Sequence, residues 1–574
     1  MKIPKLFPFA CVALMMTACA SDKDEMGGGT KPGSDPQYLA VNIVNVGATP
    51  TTRGTDDYEN GTTEESTIKK VRFYFFNGDG SPYLIKNPGV SGVEGGGEKN
   101  WLEASPADDT TSGTPSQIEK ITQTVLVING VQSAAPAAIV AVVNPGTVDA
   151  AKIQSGETMR LSELRYSTVG SQFYKKEATT GAVSDFVMSN SVYVNAGEDV
   201  CASLVAGHVT TSEKTAREKP VDLYVERVVA KVTADVDKTA FKVGDGTNWD
   251  ATKYGTIAPV GKSGDYDVYA VIDGWGLADE NGKAEVEKQV NKTWADGTLG
   301  FTPWTTADYH RCFWETSVAF VTGAGGNQPV NPTFNQLKAN KMQDVLYTLP
   351  NTPGSKVSDL KNNDLTKFAV AATLRYEDAA GNWHDAEICR YNGVSILGID
   401  NLKKQVALTF SQYYTSTDAT HYTQLSKDDI DFKNSDGTMQ QYRVTPTLAD
   451  DPSNTKKYYT KTTSGTTPTF TEVDKDKVLA AIEADKAEIR KDGRAYYYVP
   501  IKHLGGIGEL AEYGIVRNHF YKITLSGITG FGTPVYDPEK VVSPAVPTYE
   551  DTYLAARVQV LQWRVVNQNA SLGN

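Results

Sequence analysis

Tyr38-Leu39-Ala40-Val41-Asn42-Ile43-Val44-Asn45-Val46 sets Leu39, Val41 and Ile43 on one face and Ala40 and Asn42 on the other. That period of two is the signature of a β-strand with one face turned to a core. Upstream, Gly27 to Pro36 (GGGTKPGSDP) reads as a flexible tether. Downstream, Gly47 to Asn60 (GATPTTRGTDDYEN) is polar and turn-rich, with Arg53 standing alone among small residues. A second strand is expected at Val71–Phe76, closed by the turn signal Asn77-Gly78-Asp79-Gly80. Further strands are expected at Ile121–Ile128, Ala138–Val143, Phe186–Met188, Val221–Val232 and Tyr266–Ile272. Others follow at Phe368–Tyr376, Val406–Phe410, Ala495–Ile501, His519–Leu525 and Leu554–Val566. One clear helix is expected at Asp474–Arg490, with Leu479, Ile482 and Ile489 on a stripe and Gly493 just past its end. Short strands divided by long Gly-, Pro-, Thr- and Asp-rich loops point to a mainly β fold of sandwich domains with a few short helices.

Composition agrees. The 574 residues exceed what one core of about 250–300 residues can organise, so several domains are expected. Fifty Gly, 26 Pro and 29 Tyr against 8 Met favour strands and turns over helices. A charged, Pro-bearing segment at 216–220 (AREKP) separates two strand-rich halves, taken as 54–218 and 219–574. The formal net charge of −13 argues against a nucleic-acid partner, which needs a basic stripe.

At the start of the chain, Lys2 and Lys5 precede the apolar run Leu6–Met16, too short to span a bilayer and suited to a signal peptide over 1–18. It ends in Met15-Met16-Thr17-Ala18-Cys19, which resembles a bacterial lipobox. The resemblance makes Cys19 the lipidated residue, although Met16 departs from the usual Leu. Ser21-Asp22-Lys23-Asp24-Glu25 is similar to the acidic surface-export tag of Bacteroidota lipoproteins. Beyond the signal no apolar run reaches the ~18 residues of a spanning helix.

Motifs that carry chemistry are missing. There is no His-Glu-x-x-His, Cys-x-x-Cys or Gly-x-Ser-x-Gly, and Gly255…Gly261-Lys262-Ser263 misses phosphate-loop spacing by one residue. The six histidines are scattered, and His310 and His519 read as structural. Cys201, Cys312 and Cys389 remain once Cys11 and Cys19 leave with the signal and pro-segment, and they read by default as buried thiols. No enzyme activity, metal or cofactor is expected.

The two ends of the chain share a pattern. Tyr38-Leu39-Ala40-Val41-Asn42-Ile43 matches Tyr553-Leu554-Ala555-Ala556-Arg557-Val558, so both segments suit one groove in one register. Arg53, exposed in its loop, suits an Arg-specific protease. Cutting between Arg53 and Gly54 removes 19–53, including the strand carrying Leu39, Val41 and Ile43, and opens an apolar groove with unpaired backbone. A strand of another copy then fills it by β-augmentation. The donor is expected at 552–566, with Leu554, Ala556, Val558, Val560, Leu561, Trp563 and Val565 as its apolar knobs, behind a spacer bearing Pro534, Pro538, Pro544 and Pro547. Head-to-tail donation need not close and builds a filament.

With these features the chain resembles the fimbrillin family of Bacteroidales, and in it the stalk subunits of minor fimbriae. The residues that carry the resemblance are the lipobox at Cys19, Arg53-Gly54, Ala141–Pro145 (AVVNP), Phe186–Asn190 (FVMSN) and Val225–Val232 (VERVVAKV). Gly274–Leu277 (GWGL), His310–Trp314 (HRCFW), Gly514–Ile523 (GIVRNHFYKI) and Val558–Val566 (VQVLQWRVV) complete it. The match is poorest over 278–306 and 415–491, which read as variable surface loops. The resemblance implies two transthyretin-like Greek-key β-sandwich domains, outer-membrane lipoprotein export, Arg-specific maturation and strand-exchange polymerisation into a surface fimbrium serving adhesion and biofilm formation. It implies as partners other copies of the chain, anchor and tip subunits, the protease, and surface receptors. A surface glycan-binding lipoprotein is the alternative of another class, and a tip or anchor subunit a third; neither calls for both the cut site and the donor strand.

Overall fold

The computed structural model describes residues 37–45, 61–87, 97–105, 121–128, 134–145, 153, 155–170, 173–177, 179–195, 198–290, 305–306, 310–312, 315–320, 326–352, 365–434, 443–503, 514–542, 553–561 and 566–568. Among them the architecture is mainly β, in several sheets with short helices.

The first sheet is built from β1 (Gln37–Asn45), β2 (Val71–Phe76), β3 (Trp101–Ala104), β4 (Ile121–Ile128), β5 (Ala138–Val143), β6 (Met188–Asn190) and β7 (Val221–Arg227). Their order across the sheet is β3-β2-β5-β6-β7-β1-β4, with Ser203–Leu204 added beside β5. Short helices accompany it, among them α1 (Thr63–Ser66) and α2 (Glu213–Glu218). β2 and β5 are buried along their whole length, which is why β5 reads as a continuous apolar run and β2 as one interrupted only by Arg72, which pairs with Glu103. The first core gathers Leu39, Val41, Phe73, Phe75, Leu126, Val140, Val142, Leu223 and Val225 among others.

A second core lies between two sheets. One sheet holds β8 (Ala230–Val236), and the other holds β9 (Tyr266–Ala278). β10 (Val345–Thr348) joins the first of these sheets, while β11 (Lys367–Glu377) and β12 (Arg494–Pro500) join the second. β13 (Phe520–Thr529), β14 (Tyr553–Leu561) and β15 (Val566–Gln568) complete the first, in the order β10-β8-β13-β14-β15. Every second residue of β8 (Ala230, Val232, Ala234, Val236) faces Val268, Ala270 and Ile272 of β9 and Val370 and Ala372 of β11 in this core. That is β-sandwich packing, two sheets meeting through alternate side chains.

The chain crosses between cores inside the segment 221–232, expected as one strand. It breaks at Val228-Val229, where the Val228 amide donates to the Val187 carbonyl at 3.0 Å, and resumes as β8. Val229 still belongs to the first core and Ala230 to the second, so the hand-over lies C-terminal to the charged segment 216–220.

Other differences from expectation have local causes. Residues 399–409, whose end was expected as a strand at 406–410, form helix α3, because Leu402, Val406 and Ala407 are buried at helical spacing. The helix expected over 474–490 is α4 (Lys475–Glu483), capped by Asp474 and burying Val478 and Ile482. Ile489 instead lies in a strand, Ala487–Ile489; it sits seven residues after Ile482, two helical turns, and so mimicked a helical stripe. The strand expected at 186–188 runs over β6, leaving Phe186 and Val187 buried just ahead of it. The described residues of the stretch 415–491, expected as variable loop, form regular elements. They supply Ile430–Asn434, Val444–Leu448 and Ala487–Ile489 to a five-stranded sheet completed by Ile388–Tyr391 and Val394–Leu397, and this sheet has its own apolar cluster with α3 and α4.

Candidate functional site

β1 occupies an internal slot. It runs parallel to β7, with Val41 opposite Val221, Asn42 opposite Asp222 and Ile43 opposite Leu223. On its other side it runs antiparallel to β4, with Leu39 opposite Leu126 and Val41 opposite Thr124. Among the described residues β1 is the strand that joins β4 to the sheet. Leu39 and Val41 are both 0% exposed and point into the first core. Burying such side chains contributes about 1.5–3 kcal/mol each, and the ladder hydrogen bonds on both edges add to that. An empty slot is therefore costly.

The outer face of the slot differs from its sequence reading. Ala40, expected on the open face of a half-buried strand, is also 0% exposed. The reason is α2, which packs over β1 after its N-cap Ser212 and buries its own Ala216. Before β7 begins, Thr210 continues the ladder: the Tyr38 amide donates to its carbonyl at 2.7 Å, and its amide donates back at 2.9 Å. Past the reach of α2 the face opens to solvent, and there the Asn42 amide donates to the Asp222 carboxylate at 2.8 Å.

Toward the end of the sequence, β14 runs antiparallel to β13, from Phe520 opposite Leu561 to Thr529 opposite Tyr553, with a register shift between Leu525 and Gly527. It also pairs antiparallel with β15, with Val560 opposite Val566. Leu554, Ala556, Val558, Val560 and Leu561 lie on β14, and Ile43 on β1. Cys19, Arg53, Gly54, Trp563 and Val565 lie outside the described residues.

Between the slot and the C-terminal strand lies a buried polar seam that sequence reading did not single out. Glu65 of α1 meets Lys231 of β8 at 2.8 Å and accepts from the hydroxyl of Tyr347 on β10, which stands directly opposite Lys231. Burial alone would raise the Glu65 carboxyl, but Lys231, Tyr347 and Arg227 hold it below its ordinary value. Arg227 donates to the Asn518 side chain at 3.0 Å, and Arg311 donates to the Asn518 carbonyl at 2.7 Å. Lys288 pairs with Glu226 at 2.9 Å, and Arg517 with Glu315 at 2.7 Å. Glu287 stands 3.8 Å from Arg165, too far for a hydrogen bond, and burial pushes its carboxyl up to about 8 despite Arg165 and Arg517.

The titratable groups singled out by sequence are packed against the fold. His519 is buried between Arg311, His503 and Tyr521, and burial first, then Arg311, holds its imidazole well below the usual histidine range. His310 stacks on Tyr224 at 3.9 Å. Cys201, Cys312 and Cys389 are buried free thiols, and burial pushes Cys201 and Cys389 up to about 12, far from the thiolate. Among the described residues no group of three or more His, Cys, Asp or Glu is placed to hold a metal ion, and no helix is long and apolar enough to cross a membrane.

Residues 490–569, from the start of β12 to the end of β15, match the family model "Major fimbrial subunit protein type IV, Fimbrillin, C-terminal". The chain resembles the Bacteroidales fimbrillins. The matched segment begins immediately after the appended sheet of 388–489 and holds β13 and β14. Similar solved structures include a protein described as a cell adhesion protein from Parabacteroides distasonis, 12% identical over 94% of this chain and 99% of its own, with a TM-score of 0.37. A fimbrilin from Porphyromonas gingivalis is 12% identical over 92% and 98%, with a TM-score of 0.34. The tip fimbrial protein Mfa3 of the same species, with a C-terminal truncation, is 9% identical over 91% and 99%, with a TM-score of 0.28. These superpositions are loose, and the fimbrillin likeness rests on the sequence match of the C-terminal segment. No curated protein sequence matches the chain.

Proposed function

We propose that this chain is the structural stalk subunit of a cell-surface fimbrium, exported as a lipoprotein through Cys19, cleaved between Arg53 and Gly54, and polymerised by strand exchange. The observation that carries the reading is the slot of β1. An internal strand with Leu39 and Val41 fully buried, paired on both edges, belongs to the removable segment 19–53. Its loss leaves apolar surface and two unpaired strand edges, an arrangement that demands a replacement strand. The same Tyr-Leu-Ala opening recurs in β14, inside the fimbrillin-like segment. Donation from the C-terminus of one copy to the N-terminal half of the next is heterologous and open-ended, so it yields a filament. Residues 54–218, together with β7, act as the acceptor domain and the rest of 219–574 as the donor domain, with 552–566 as the donor strand and anchor and tip subunits, the protease and surface receptors as partners.

Truncation before Thr552 tests the reading. Folded, processed subunits that stay monomeric are expected; normal filaments from the truncated chain would overturn it. A surface glycan binder, the alternative of another class, would be indifferent to this truncation.

A further inference from the structure

Resting on the strand-exchange reading, we infer that the register of the incoming strand is set by two positions on the outer face of the slot: a small residue, Ala555, under α2, and Arg557 against Asp222. The niche of Ala40 is closed, since Ala40 and the Ala216 of α2 are both 0% exposed. The end-to-end match places Ala555 there. A slip of one residue turns the apolar face outward. A slip of two brings Tyr553 or Arg557 under α2, where neither volume nor charge fits. Among registers that keep the apolar face inward, only the matched one leaves the niche filled by a methyl group.

In that register Arg557 takes the place of Asn42, whose amide meets the Asp222 carboxylate at 2.8 Å. Exchange thus substitutes a guanidinium for a neutral amide against the same carboxylate. The bond becomes charge-assisted, a contact that the donor from a second copy makes and the chain's own β1 cannot. Asp222 is exposed, so the pair adds little affinity; its role is to favour one register and one occupant.

Cysteine pairs read the register directly, because the native thiols among the described residues are all buried. Neighbouring strands lie about 4.8 Å apart, whereas a slip of two residues separates Cα atoms to about 8 Å, beyond disulfide reach. In full-length chains polymerised under mild oxidation, D222C with R557C should give a reducible ladder of linked subunits, and D222C with Ala555→Cys or Gln559→Cys should not. A ladder from either control, or none from the first pair in filaments that do form, would overturn the register. In parallel, Asp222→Arg and Arg557→Asp should each weaken polymerisation, by up to about fivefold per junction, and the double swap should restore it. Equal polymerisation by all three variants would sink the pairing while leaving strand exchange intact. Filaments persisting after deletion of 553–574 would instead remove the reading on which it rests.

Discussion

Gly274 and Gly276 flank Trp275 on β9, and each is there because something presses against it. A Cβ on Gly274 would collide with the carbonyl oxygen of Leu337, and one on Gly276 with the Leu337 side chain. Between them Trp275 is 0% exposed, and its indole donates to the Lys341 carbonyl at 2.7 Å. Gly274→Ala should therefore cost about 1–3 kcal/mol in urea denaturation, as overpacking does; an unchanged midpoint would show that the 337–340 segment yields freely. Glu287 gives a pH-dependent counterpart. Burial lifts its folded value from 4.5 to about 8, so the native state holds the proton more tightly than the unfolded chain. Its stabilising contribution is complete below about pH 4.5 and is lost as the pH rises through about 8. Glu287→Gln should flatten the fall in stability across that window, measured by denaturation at pH 5, 7 and 9; an identical slope in the variant would contradict a protonated Glu287. The Gly-Trp-Gly motif was legible in sequence, but its cause was not, because the obstacle comes from residues some sixty positions on.

At the scale of elements, the strands were legible wherever one pattern matched one environment. β1, β4, β5 and β12 lie within a residue or so of their expected bounds, since an alternating pattern or a short apolar run bounded by turn residues survives in sequence. Failures came where two environments shared a run. The stretch 221–232 read as one strand because its apolar residues, which serve two cores in turn, follow one another without a turn signal, and 406–410 read as a strand because its helical spacing begins earlier, at Leu402. Cover was invisible too: nothing near Ala40 in sequence announces that α2 closes over it. The dependence of β4 on β1 also appears only in the sheet order. Processed monomers lacking 19–53 should show weakened amide hydrogen-exchange protection in 121–128 and regain it on polymerisation. Full protection in the processed monomer would mean that β4 holds its place without β1 or a donor.

For the whole molecule, the buried seam explains why the family-like motifs are scattered along the chain. Glu226, Arg227 and Lys231 come from 225–232, Arg311 from 310–314, and Arg517 and Asn518 from 514–523; they converge where one core passes to the other. Spacing in sequence could not show that convergence. A filament under tension benefits from such a joint, because breaking one buried pair leaves a charge stranded in low dielectric. Arg517→Met, which strands Glu315, should destabilise by about 3–5 kcal/mol in chemical denaturation, whereas removing the exposed Lys457–Glu472 pair should leave stability unchanged. Equal effects would deny the seam its structural role. Replacement of β1 by a donated strand is read out by intact-mass and N-terminal analysis of subunits from purified fimbriae. Subunits beginning at Gly54 are expected; polymerised subunits that retain residues 37–45, with acylated Cys19, would contradict it.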